Sequence, residues 1–195
     1  MNMDSINKTI TDYISRNFSE KRKIHTEGVR TTAIRLSELY GADSEKAELA
    51  ALFHDMFRGV QVDVINYYVK HLGLDKKYMG NPNLAHSKIA ALIMERDYDI
   101  HDSDIINAVS YHTTGRPGMS VLEKVIYLAD AIEPNRNYPG VEELRRVAQS
   151  DLDRAVMMSL ERTIEYVTQQ GNFLDEDTIK ARDYYLKEKS INDEQ

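Results

Sequence analysis

The chain has 195 residues, a formal net charge of -7 and no cysteine. That excludes disulfides, thiolate ligands and a cysteine nucleophile, leaving His, Asp and Glu to hold any metal, and it argues against wrapping nucleic acid, which needs clustered Lys and Arg. With 42% hydrophobic and 29% charged residues and no Gly/Ser-rich or Pro-rich linker, the composition fits one ordinary globular domain.

The N-terminus, Met1-Asn2-Met3-Asp4-Ser5, is polar and lacks the apolar core of a secretory signal. No apolar run approaches the roughly 20 residues that span a bilayer, so no membrane association and a cytoplasmic location are expected. Ile6, Ile10, Tyr13 and Ile14 then form a helical stripe. Ser19-Glu20 starts a second helix, with Val29, Ala33, Leu36 and Tyr40 on its stripe and Gly41 as its stop.

The spacing predicts further helices at about Asp43 to Asp55 and Val62 to Leu72, the latter ending near Gly73, with a loop through Gly80-Asn81-Pro82-Asn83. Later helices are predicted at Ala85 to Arg96, Ser103 to His112, Ser120 to Ile132, Val141 to Gln149, Leu152 to Gln170 and Glu176 to Lys187. No segment alternates as a strand would, so the expected fold is all-α, with a frayed polar tail from Lys187 to Gln195. The expected organisation is an N-terminal helix over 1–18 packed on the domain, a central domain over 19–171, and a C-terminal helix and tail over 172–195.

His54-Asp55 closes the apolar run Ala50-Ala51-Leu52-Phe53, and adjacent imidazole and carboxylate groups at the end of a buried segment need a strong partner. His25, His86, His112 and Asp130 each fall on the apolar stripe of another predicted helix. Taken singly, a buried histidine more often bonds to a backbone carbonyl than to a metal, and Asp130 is equally well read as half of a buried pair with an arginine. Together, four imidazoles and two carboxylates make a nitrogen and oxygen donor set suited to iron, manganese, cobalt or zinc. His71 and His101 have polar or helix-terminal settings and are assigned to the surface. Lys88 and Lys124 are read as solvated faces, and the Tyr67-Tyr68 and Tyr184-Tyr185 pairs as packing residues rather than base-stacking platforms.

The ordered set His25, His54-Asp55, His86, His112 in Tyr111-His112-Thr113-Thr114, and Asp130 in Leu128-Ala129-Asp130 resembles the HD superfamily of metal-dependent phosphohydrolases, most closely its YqeK branch. The segment Ala129-Asp130-Ala131-Ile132-Glu133-Pro134-Asn135-Arg136 is similar to that branch's signature, and the resemblance runs from about Arg22 to Gly171. Arg58 departs from the His-Asp-x-x-Lys form common among relatives, where it either contacts phosphate with altered geometry or solvates a helix end.

The resemblance implies a single-domain HD-type helical bundle with two divalent or mixed-valence metal ions, iron first. Asp55 would bridge them, with His25, His54 and Asp130 serving one ion and His86 and His112 the other. It also implies symmetrical cleavage of diadenosine tetraphosphate to two ADP by a metal-activated hydroxide. Arg58 and Arg136 are expected to neutralise phosphate charge, with Thr113 contacting the nucleotide; Pro134 would end the helix carrying Asp130 and let Arg136 reach back. The alternatives left open are an HD-type nucleoside monophosphatase or other nucleotide phosphohydrolase, a weakly catalytic nucleotide-sensing module, and a metal-free structural cluster. A dinucleoside polyphosphate or nucleotide is the expected ligand, and a homodimer remains open.

Overall fold

A computed structural model describes the backbone of residues 3–193 and the side chains of residues 5–188. Ten α-helices and one short 3-10 turn account for its regular structure, and no strand occurs among the described residues. α1 (Met3–Asn17) buries Ile6, Ile10 and Ile14 against α3 (Ser44–Phe53). α2 (Glu20–Tyr40) begins where the Ser19 side chain accepts from the Arg22 amide and stops at Gly41, whose φ of 71° favours glycine. α3 buries most of its surface, including Ala47, Leu49, Ala50, Ala51, Leu52 and Phe53, as befits a helix at the centre of the core.

α4 (Val62–His71) and the 3-10 turn Lys76–Tyr78 lead to α5 (Pro82–Tyr98) and α6 (Ser103–Tyr111). α7 (Val121–Ile132) opens with a reciprocal capping box between Ser120 and Glu123. α8 (Val141–Val147), α9 (Leu152–Gln169) and α10 (Glu176–Asp193) complete the chain. α2 packs on both α3 and α7, α6 bridges α5 and α7, and α9 lies between α7 and α10. The ends of α3, α6 and α7 and the inner faces of α2 and α5 thus meet in one place. No helix among the described residues is long and apolar enough to cross a membrane.

Several boundaries differ from the sequence reading, three of them for a plain physical reason. α3 ends at Phe53 rather than Asp55: His54 is its C-cap, and the chain tightens into turns in which Met56 N–H donates to Phe53 O and Arg58 N–H to Asp55 O. α5 begins at Pro82, inside the expected loop, because proline at the first helical position gives up only an amide that would be unpaired there. α10 continues to Asp193 instead of fraying from Lys187, since lysine and glutamate hold a helix without burial. The last two residues of the expected tail, Glu194 and Gln195, lie outside the described residues.

Candidate metal centre and nucleotide groove

His54 leaves the end of α3 with its Nδ1 donating to the Ala51 carbonyl at 2.6 Å. His112, at the C-cap of α6, does the same to Val109 at 2.7 Å, and His86 on α5 to Pro82 at 3.2 Å. Each ring thus bonds to a carbonyl three or four residues back in its own helix. The carbonyl contact that makes a buried histidine unremarkable also fixes its tautomer and turns the Nε2 lone pair inward, as ligating histidines require. His25 on α2 is oriented differently: its Nδ1 lies 3.2 Å from Glu133 Oε1.

The four rings surround Asp55. Its Oδ2 lies 3.6 Å from His25 Nε2 and 3.7 Å from His54 Nε2, while its Oδ1 lies 3.3 Å from His86 Nε2 and 3.9 Å from His112 Nε2. Asp130, at the inner end of α7, is 3.2 Å from His25 Nε2 and shares a donor group with His54 and His112. All six donors predicted from sequence come together.

The donor set fits a cation. His86 and His112 Nε2 are 3.1 Å apart, with both Nδ1 atoms turned to carbonyls, too close for two nitrogens with neither a proton nor a cation between them. Burial, reinforced by His86 and His54, pushes His112 down to about 3, so it holds no proton at neutral pH to relieve that contact. Burial also lowers His54. Burial would lower His25 too, but the hydrogen bond and charge of Asp130 outweigh it and raise it. Burial raises both carboxylates, yet His54 and His86 overcome it at Asp55, while His25 and Arg136 overcome it at Asp130, leaving both well below the usual range. Buried nitrogen and oxygen donors of this kind suit a divalent metal ion.

Two arginines touch the carboxylates. Arg22 Nη1 donates to Asp55 Oδ2 at 2.6 Å; its position at the start of α2 carried no signal in the sequence. Arg136 reaches back as expected, but its partner is Asp130 itself: Nε donates to the Asp130 carbonyl at 2.8 Å and Nη2 pairs with the carboxylate. The arginine pairing considered for Asp130 and its place among the donors therefore coexist. Proline does end α7, and Arg145 then secures the turn by donating to the carbonyls of Ile132, Glu133 and Arg136.

Glu133 has a role the sequence reading did not give it. It is 2% exposed, orients His25 and accepts from the amide and side chain of Asn135. Gly28 makes room for it, since a Cβ there would lie 2.5 Å from Glu133 Oε2. That close approach is the physical reason for glycine in mid-helix.

Thr113 Oγ1 lies 3.4 Å from His86 Nε2 and 3.3 Å from His112 Nε2. Arg58 Nη1 donates to the Asn83 carbonyl at 3.3 Å. Both residues line an inner cavity of about 130 Å³ with Asp55, His86, His112 and Asp130. Both also line an outer groove of about 810 Å³, bounded by residues 79–84, the end of α9 and residues 172–175. His71 and His101 are exposed, as expected. Lys88 is not: it is 8% exposed, donates to Ser110 Oγ and lies 3.5 Å over the Tyr111 ring. Burial pushes its ammonium down to about 8; the solvated-face reading failed because α5 is covered on that side too. Lys124 keeps little solvent and pairs with Asp153 at 2.6 Å.

The HD domain model matches residues 22–135, a span that contains all six donors. The symmetrical bis(5'-nucleosyl)-tetraphosphatase of Bacillus subtilis (strain 168) is 41% identical, covering 85% of this chain and 90% of that protein. The protein of the same description from Halalkalibacterium halodurans is 39% identical, covering 90% and 94%. A crystal structure described as a predicted HD superfamily hydrolase involved in NAD metabolism, from Clostridium acetobutylicum, matches with a TM-score of 0.87 and 42% identity, covering 93% of this chain and 97% of that one. With its donors inside the matched span and its all-helical architecture shared over nearly the whole length, the chain belongs to the HD-domain family.

Proposed function

We propose that this chain is a metal-dependent hydrolase that cleaves diadenosine tetraphosphate symmetrically, adding one water across the central P–O–P bond to give two ADP. The observation that carries the chemistry is the division of Asp55 between two histidine pairs, Oδ2 toward His25 and His54 and Oδ1 toward His86 and His112. The substrate and its symmetry rest on the likeness to the two tetraphosphatases.

The residues that would hold the metal are His25, His54, Asp55, His86, His112 and Asp130, with Asp55 bridging two ions, Asp130 joining the first pair, and iron preferred over manganese, cobalt or zinc. Such ions supply a lowered pKa for a water and positive charge against phosphoryl oxygens. The chain's own residues do the rest. The backbone carbonyls of Ala51, Pro82 and Val109 hold three rings in the ligating tautomer. Arg58, at the junction of inner cavity and outer groove, meets phosphate charge in an otherwise acidic chain. Thr113 offers a hydroxyl at the same junction, and Arg136 offsets the Asp130 charge as polyphosphate approaches. A cytoplasmic site of action belongs to the same proposal.

The test is product analysis. Full-length, metal-quantified protein is given diadenosine tetraphosphate and the nucleotides are separated by chromatography. ADP alone is expected. AMP together with ATP would overturn symmetrical cleavage, and hydrolysis of nucleoside monophosphates alone would replace the substrate class.

A further inference from the structure

Outside the donor cluster, the outer groove has an unusual lining. Tyr166 is 63% exposed, Phe173 56% and Met79 44%, and all three line this groove. Single exposed apolar side chains need no explanation, but several gathered in one concave surface mark a binding site. The groove is continuous with the inner cavity, sharing Arg58, Thr113, Asp130 and Thr163.

The two aromatics are held in place. Ser159 and Thr163 of α9 line the inner cavity, while Thr163, Tyr166 and Val167 line the groove, so one helix face leads outward from the donors. Seven residues separate Ser159 from Tyr166, about 10 Å along a helix. Phe173 sits between two anchors: the Asn172 amide donates to the Val167 carbonyl at 3.1 Å, and the buried Asp175 pairs with Lys77 at 2.9 Å and accepts from the Asp177 amide at 3.0 Å. Two short tethers therefore fix the backbone that carries an exposed phenyl ring at the groove. Asn81, whose side chain makes no capping bond, and Asn172 supply amides at the same rim, groups able to meet both donors and acceptors of a base edge.

We propose that Tyr166 and Phe173 form a nucleobase subsite, stacking the base of one nucleoside diphosphate half while its phosphates extend past Arg58 and Thr113 toward the donor cluster. This rests on the nucleotide reading above and deepens it. Phosphate contacts alone cannot distinguish a dinucleotide from inorganic polyphosphate; a stacked base can, because aromatic stacking stabilises each base appreciably.

The chain contains no tryptophan, so Phe173→Trp places a unique fluorophore at the subsite. With full-length protein, ADP should quench the indole while inorganic pyrophosphate, which has no base, should not. In calorimetric titrations Tyr166→Ala should weaken ADP about tenfold or more and leave pyrophosphate affinity unchanged. Equal quenching by the two ligands, no response to ADP, or ADP affinity indifferent to Tyr166→Ala would each overturn the subsite. The product analysis of unaltered protein uses neither variant, so its failure is separate from the failure of this inference.

Discussion

The inner cavity beside the donor cluster and the outer groove share four residues, yet cluster and groove are built in opposite ways. In the cluster, three histidines are each fixed by a carbonyl in the preceding turn of their own helix, and the ring positions follow from the packing of α3, α5 and α6. In the groove, the exposed Tyr166 and Phe173 lie at the end of α9 and in the loop after it, and face Met79 from the distant segment before α5. The chemistry is set by local helix geometry and a dense core, whereas recognition is left to exposed side chains whose juxtaposition is tertiary. Substitutions inside should abolish turnover, and substitutions outside should tune affinity.

The largest effect is expected at the centre. Asp55→Asn keeps the size of the side chain, removes the charge that faces all four imidazoles and leaves Arg22 without its anionic partner. Turnover of diadenosine tetraphosphate should fall to background while the far-ultraviolet circular dichroism stays helical. His71→Ala and His101→Ala serve as controls at exposed positions and should keep normal turnover. Comparable losses in all three variants would mean that the donor assignment is wrong.

Glu133→Gln sharpens the distinction one layer out. The amide oxygen can still accept from His25 Nδ1, but the negative charge behind the ring is gone. Partners of this kind set ligand orientation and basicity, and losing one typically costs ten- to a hundredfold in metal affinity, or about 1.4 to 2.7 kcal/mol. Competition with a calibrated chelator should show a loss of that order with the fold unchanged. Unaltered metal affinity would place Glu133 with the packing rather than with the centre.

The same contrast explains what could be read in advance. The helices and the convergence of the six candidate donors were legible because each is marked locally: apolar residues recur at helical spacing, and the candidates fall on those stripes. Arg22 gave no such signal, since only the packing of α2 against the end of α3 brings it to Asp55. Glu133 stood in a recognisable segment, yet its link to His25 spans 108 residues and depends on the missing side chain of Gly28. Lys88 misled because a lysine one turn before Leu92 reads as one exposed face, whereas α5 is enclosed there by Tyr111 and Ser110. Tyr166 and Phe173 were silent, their meaning lying in the groove and neither in α9 nor in the loop after it.

The smallest effect expected is on stability at the far end of a donor helix. Asp102 caps α6, accepting from the Asp104 amide at 2.9 Å, and pairs with Lys46 at 2.7 Å. The hydrogen bond from Lys46 holds its carboxyl below the usual range, opposed by burial and aided by the amides of Ile105 and Asp104. Asp102→Ala should cost about 1 kcal/mol at neutral pH, the usual value of a lost N-cap. Because the folded pKa is depressed, the carboxylate contributes fully above roughly pH 4 and its contribution is lost as pH falls through the folded value. The stability gap between the two proteins in urea should therefore close on acidification. Turnover at neutral pH should hardly change, since His112 lies at the opposite end of α6 and takes its orientation from Val109. A gap that stayed unchanged in acid would show that the cap acts as a neutral hydrogen-bond acceptor and owes nothing to its charge.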